Sequence, residues 1–187
     1  MGFSLAQLSL SFIIPAHASE IYTHPTPLLA FMSTFAIVAS AWYTHHRLFE
    51  YSFVPRPLPM VLNFITLALI VWLVYQLQLF VHFQHEDSDH RFAALSYIIT
   101  FGVMYVVLGV NWALCLRLSW NRLDAAARSS GVFAAGRLIA VGVGTALAVF
   151  VTMAVRIQVE YAFLLIPIAP LLWRLYARVA LHTRGAS

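Results

Sequence analysis

Lysine does not occur in this chain of 187 residues, and only 10% of the residues are charged. Soluble domains average roughly 25%. A water-facing surface cannot be built from so few charges. The composition therefore excludes an ordinary soluble domain and points to a surface that faces lipid, with 61% of the chain hydrophobic. Cysteine is nearly absent as well. Cys115 stands alone in an apolar run (Trp112, Ala113, Leu114, Leu116), which rules out an intrachain disulfide and a thiolate metal cage and leaves a small buried hydrophobe. Linkers, repeats and low-complexity tracts are missing, so residues 1–187 read as a single transmembrane domain. No nucleophile-base pair or metalloprotease spacing occurs, so neither an enzyme nor a bound cofactor is expected.

What basic charge there is comes from arginine, 11 residues in all. An isoelectric point near 9.6 would suit a nucleic-acid binder, but these arginines sit between apolar runs and form no basic face. They read as topology signals, and no nucleic-acid partner is expected. Missing lysine beside abundant alanine and arginine also suggests a GC-rich bacterial source, and with it the cytoplasmic (inner) membrane.

A spanning helix needs roughly 20 apolar residues. Segments 27–49, 59–83, 92–118, 138–157 and 161–181 meet that length. A leading segment, 3–15, is apolar but covers only about 20 Å of a roughly 30 Å hydrocarbon core. The sequence thus predicts an all-α polytopic membrane bundle of five full spanning helices plus a shortened first helix. Ala16-His17-Ala18 has the form of a signal-peptidase site, but no basic residue precedes the apolar run, so the segment is expected to be retained. If each long segment crosses once, Arg47, Arg56, Arg117, Arg122, Arg128, Arg137, Arg174, Arg178 and Arg184 share one side. Arg91 and Arg156 fall on the other side, with Glu20, Glu86, Asp87, Asp89 and Glu160. The positive-inside rule makes the arginine-rich side cytoplasmic, with both termini there.

Within the helices, Ala140, Gly144 and Ala148 form a small-residue stripe, read first as intramolecular packing. Trp72, Trp112, Trp120 and Trp173 read as core or interface anchors, and Pro167 and Pro170 as a bend in the last helix. Polar groups at membrane depth are costly and face a partner or a cavity. Phe31, Phe35, Val38, Trp42, His45 and Phe49 recur by steps of four and three, which predicts one shared helix face. Trp42 and His45 then project together, His46 turns about 100° away, and Asn63 of the next helix comes to the depth of His45. A hydrogen-bonded cluster that only orders the bundle is the plainer reading of these residues.

The run Pro27-Leu-Leu-Ala-Phe-Met-Ser-Thr-Phe35, then Trp42-Tyr-Thr-His45-His46-Arg-Leu-Phe49, then Leu62-Asn63 with Leu67, resembles the second and third helices of the transmembrane protein 175 family. These are bacterial and endosomal/lysosomal potassium channels. The residue-level likeness is confined to about 27–67. The family's first-helix signature, an arginine followed by Phe-Ser-Asp, is not found here. Gly2-Phe3-Ser4-Leu5-Ala6 is similar to the stretch just after it, which implies a first helix without its cytoplasmic half, from a start upstream of Met1 or from a degenerate member. The resemblance implies a pore lined by the first helix, where Leu5, Leu8 and Phe12 share a face as the constriction and Ser4 and Ser11, with Gln7, form a polar stripe. It further implies that Trp42, His45, His46 and Asn63 brace that helix, that potassium or another monovalent cation passes, and that the assembly is a homo-oligomer, a tetramer in the bacterial members.

The acidic connector holds His82, His85, Asp89 and His90, a set with metal-ligand chemistry that more often is simply solvated. No metal is expected. Two other functional readings stay open from sequence: a non-conducting membrane protein or assembly partner, and a haem or metal membrane protein using histidines.

Overall fold

The structure is a computed structural model and describes residues 26–83 and 87–155. All regular structure among these residues is helical: α1 (Thr26–Tyr51), α2 (Pro57–His82), α3 (Asp87–Ser119), a 3-10 turn (Trp120–Arg122) and α4 (Ala125–Val155). The all-helical class is as expected. Three helical stretches among the described residues are long and apolar enough to cross a membrane: Pro57–His82, Ser88–Arg122 and Ala125–Val155. α1 has 26 residues and is about 39 Å long. The leading segment 3–15 and the segment 161–181 lie outside the described residues, as do Trp173, Pro167 and Pro170.

Two helix starts differ from the sequence reading. The segment expected at 138–157 begins at Ala125, because Ala125-Ala126-Ala127 is strongly helix-forming and Asp124 caps the turn, its Oδ1 accepting the Ala127 N–H at 2.7 Å. The segment expected at 92–118 begins at Asp87, which draws acidic residues such as Asp89 out of the connector and into a first turn where negative charge is favoured. α2 starts close to expectation. Pro57 and Pro59 occupy its first turn, where a missing N–H costs nothing.

The order is up, down, up, down, and α3 is the central helix. In its most apolar stretch 61% of residues are buried, against 28% in each of α2 and α4. Ile98, Met104 and Leu108 of α3 meet Ile70, Leu73 and Val74 of α2 and Leu138 of α4 in one core. Cys115 lies in it too, as a free thiol. Of the tryptophans, Trp112 is buried, whereas Trp72 and Trp120 are exposed.

α3 and α4 form the tightest pair, and glycine decides how close they come. A Cβ on Gly142 would lie 2.7 Å from the Gly102 carbonyl oxygen, and one on Gly109 would lie 3.0 Å from the Ile139 nitrogen and 3.1 Å from the Leu138 Cβ. Nearer the connector, a Cβ on Gly131 would meet Leu116 Cδ1 at 2.8 Å. Gly131, Ala135, Leu138, Gly142, Thr145, Ala148 and Thr152 are the buried line of α4. The contact stripe is therefore intramolecular but shifted: of the expected Ala140, Gly144 and Ala148, only Ala148 is fully buried.

Candidate functional site

α1 and α3 run side by side in the same direction. Thr34 meets Tyr97, Ser40 meets Tyr105 and Thr44 meets Trp112, pairs 63, 65 and 68 positions apart. The C-terminal ends of α1 and α3 therefore share one end of the bundle. Arg47, Arg56, Arg117, Arg122 and Arg128 gather there, while Asp89 and Arg91 mark the opposite end. Arg137 does not sit in the connector, as the sequence suggested. It is exposed on α4, roughly 18 Å from that helix's start.

At the arginine end, His45 of α1 and Asn63 of α2 are hydrogen-bonded through His45 Nε2 and Asn63 Oδ1. With the carboxamide oxygen accepting, the ring nitrogen donates. The His45 ring also packs on Phe49, centroids 4.8 Å apart, and Phe49 stacks on Phe53 at 4.0 Å. Both bonded residues are half-buried. Trp42 does not complete this group through His45. It stacks on His46 one turn on, rings 6° from parallel and 5.6 Å apart, and is 47% exposed. The two neighbouring pairs follow the i to i+4 rule of helix surfaces.

The buried line of α1 overlaps the face of Phe31, Phe35, Val38, Trp42, His45 and Phe49 only at Val38 among its fully buried residues. Thr34, Val38, Ala41, Thr44 and Leu48 are buried, whereas Phe35 and Phe49 are 44% and 43% exposed. Small and polar side chains turn inward because α3 offers hydrogen-bonding groups. Thr34 Oγ1 lies 2.7 Å from the Tyr97 hydroxyl in a buried bond, and the Trp112 indole N–H donates to the Thr44 carbonyl at 3.3 Å. Tyr105 donates to Ser40 Oγ at 3.5 Å. Thr44 Oγ1 in turn donates to the Ser40 carbonyl at 2.8 Å, so its hydroxyl is satisfied within α1. Sequence reasoning missed this ladder. Its signal was there: Tyr97, Tyr105 and Trp112 recur by steps of eight and seven, each with an apolar body and one polar tip.

Beside the ladder, Asn111 is fully buried; its Oδ1 accepts from Cys115 Sγ at 3.6 Å, and its Nδ2 has no partner among the described residues. Ser119 donates to the Cys115 carbonyl at 2.8 Å. These groups are uncharged. They can hold helices in register, but none forms a nucleophile-base pair.

The pore-lining candidates Ser4, Leu5, Leu8, Ser11 and Phe12 lie outside the described residues. Of the weak metal candidates, His85 lies there too. His82 packs edge-on against Phe83 at 4.8 Å, and His90 packs against Phe80 at 4.6 Å. Among the described residues no three His, Cys, Asp or Glu side chains are grouped to hold a metal ion.

Comparison with known proteins gives one family. The family model described as endosomal/lysosomal potassium channel TMEM175 matches residues 5–74. The match takes in residues 5–15 of the leading segment, all of α1, and α2 as far as Val74, and so contains Trp42, His45, His46 and Asn63. No curated protein matches the chain. No solved structure matches it either.

Proposed function

We infer, for a chain whose residues 5–74 are of the TMEM175 potassium-channel family, that it is a subunit of an oligomeric cation channel with potassium as the favoured ion. The family is one of ion channels and not of enzymes, and the apolar helices make the chain an integral membrane protein. In this reading Leu5, Leu8 and Phe12 form the constriction of the pore, with Ser4 and Ser11 as its polar stripe. One subunit supplies one such helix, so several copies surround the axis, four by likeness to bacterial members. An apolar constriction of this kind gates by dewetting. Trp42, His45, His46 and Asn63 act from behind: they fix the ends of α1 and α2 against the pore helix and do not touch the ion. The membrane is the bacterial cytoplasmic one, with both termini inside.

The observation that carries this reading is that the family match spans the leading segment and the His45–Asn63 pair together. The test is potassium flux in liposomes holding the purified, oligomeric chain. Flux that exceeds sodium flux, and that rises when Leu8→Ala widens the constriction, is the expected result. A folded oligomer that passes no monovalent cation would overturn it and leave a non-conducting assembly partner.

A further inference from the structure

At the arginine end of the α3–α4 pair lies a groove of about 640 Å³ with a mostly apolar floor. Ala113 and Leu116 of α3 and Val132 and Gly136 of α4 form that floor, and Arg117 and Trp120 stand at its polar end. Small residues make it. Ala113 of α3 and Gly136 of α4 both line it.

The polar end is built for an anion. The sequence from Arg117 to Arg137 carries four arginines, and Asp124 is its single carboxylate. That carboxylate already caps α4 through the Ala127 N–H. Among the described residues no carboxylate pairs with Arg117 or Arg122, both exposed. Arg128 holds Trp120 in place: its Nε donates to the Trp120 carbonyl at 2.9 Å, and its guanidinium lies 5.2 Å from the indole ring centre. A tryptophan fixed beside unpaired arginines is the pattern of a membrane-water interface. Depth agrees. α3 has 33 residues and is about 50 Å long, well beyond a hydrocarbon core of roughly 30 Å, so its last turns reach headgroup level while the groove runs inward from them.

We propose that this groove binds one anionic glycerophospholipid, with its phosphate on Arg117 and an acyl chain along Ala113 and Val132. A zwitterionic lipid offers the same chain but brings its own cation, which the surplus arginines repel. Basic pockets between membrane helices hold anionic headgroups on the same physical grounds.

Native mass spectrometry of the full chain in detergent tests the assignment, with phosphatidylglycerol and phosphatidylcholine of matched chains as probes. Phosphatidylglycerol is expected to be retained at least fivefold better. Arg117→Gln should bring the two lipids to parity, whereas Arg91→Gln at the opposite end should change nothing. Filling the groove by Ala113→Leu, or by Gly136→Leu if the first variant does not fold, should cut phosphatidylglycerol retention severalfold at an unchanged melting temperature. Soluble glycerol phosphate should not displace the lipid. Equal retention of the two lipids overturns the proposal, as does an equal loss in Arg91→Gln. Retention that survives groove filling reduces the effect to surface charge, and displacement by glycerol phosphate makes it a free-phosphate site; either result also overturns it.

Discussion

Thr34 Oγ1 and the Tyr97 hydroxyl meet at 2.7 Å inside the bundle, and this bond sets which face of α1 turns toward α3. The inward side chains of α1 are mostly small, and Ser40 and the Thr44 carbonyl add further bonds, to Tyr105 and Trp112. Bulky residues such as Phe35 and Trp42 point outward instead. A helix with hydroxyls along its inner face cannot slide or rotate past its neighbour without leaving polar groups unpaired in a low-dielectric interior.

Tyr97→Phe should therefore loosen α1. The ring still fills its space, and Thr34 loses its partner. Bonds between membrane helices average about 0.6 kcal/mol, so a loss of about 1 kcal/mol is expected, read as a lower thermal midpoint in detergent. Thr34→Val added to Tyr97→Phe should recover part of that loss, because the orphaned hydroxyl is gone. A double variant no more stable than the single would show that Thr34 finds other partners.

A second cycle concerns His45 and Asn63. His45→Ala and Asn63→Ala should each lower the melting temperature of the bundle. The double variant should cost less than the sum, by about 0.5–1 kcal/mol, since the two side chains are bonded partners. Strict additivity, or an unchanged melting temperature and oligomer size in His45→Ala, would count against a bracing role. Trp42→Phe belongs in the same series. Because Trp42 stacks on His46, its effect should add to that of Asn63→Ala.

Physical reasons separate what the sequence disclosed from what it hid. α2 was legible, 59–83 against Pro57–His82, because its apolar run is unbroken and prolines mark its start. α4 was not, because a hydropathy criterion stops at Arg137 and discounts the alanine-rich turns before it. Yet an exposed arginine on a long helix costs little when its stem can reach toward water. The depth shared by His45 and Asn63 followed from counting residues inward from one connector. The inward face of α1 did not follow, since periodicity ranks faces by bulk. In lipid, the large side chains can stay outside while small and hydroxyl-bearing ones make the contacts.

That rule bears most directly on glycine. Gly142→Ala would drive a methyl group to 2.7 Å from the Gly102 carbonyl and 3.1 Å from the Val106 nitrogen, both backbone atoms that cannot step aside. Overpacking of this kind costs about 1–3 kcal/mol and should part α3 from α4. Gly102→Ala should be milder. Its methyl would meet Thr145 Cγ2 at 3.0 Å and Cβ at 3.1 Å, contacts that a shift of a few tenths of an ångström relieves. Thermal melts of the two variants should fall in that order. The reverse order would place the close approach elsewhere along the pair.

The alignment of α1 with α3 makes a claim about sides that labelling can test. In a Cys115→Ala background, single cysteines at Leu58, Ser88 and Ala125 would each be exposed near a helix end. Leu58 opens α2 and Ala125 opens α4, so both stand at the arginine end, whereas Ser88 stands at the other. A membrane-impermeant maleimide applied to intact spheroplasts should modify Ser88→Cys alone, and inverted vesicles should reverse the pattern. Leu58→Cys and Ala125→Cys must behave alike whichever way the chain is inserted, because α1 and α3 are parallel. If Ala125→Cys reacts from the same face as Ser88→Cys, α3 does not cross the membrane. His45 and Asn63 would then lose their common depth with the arginine-rich connectors.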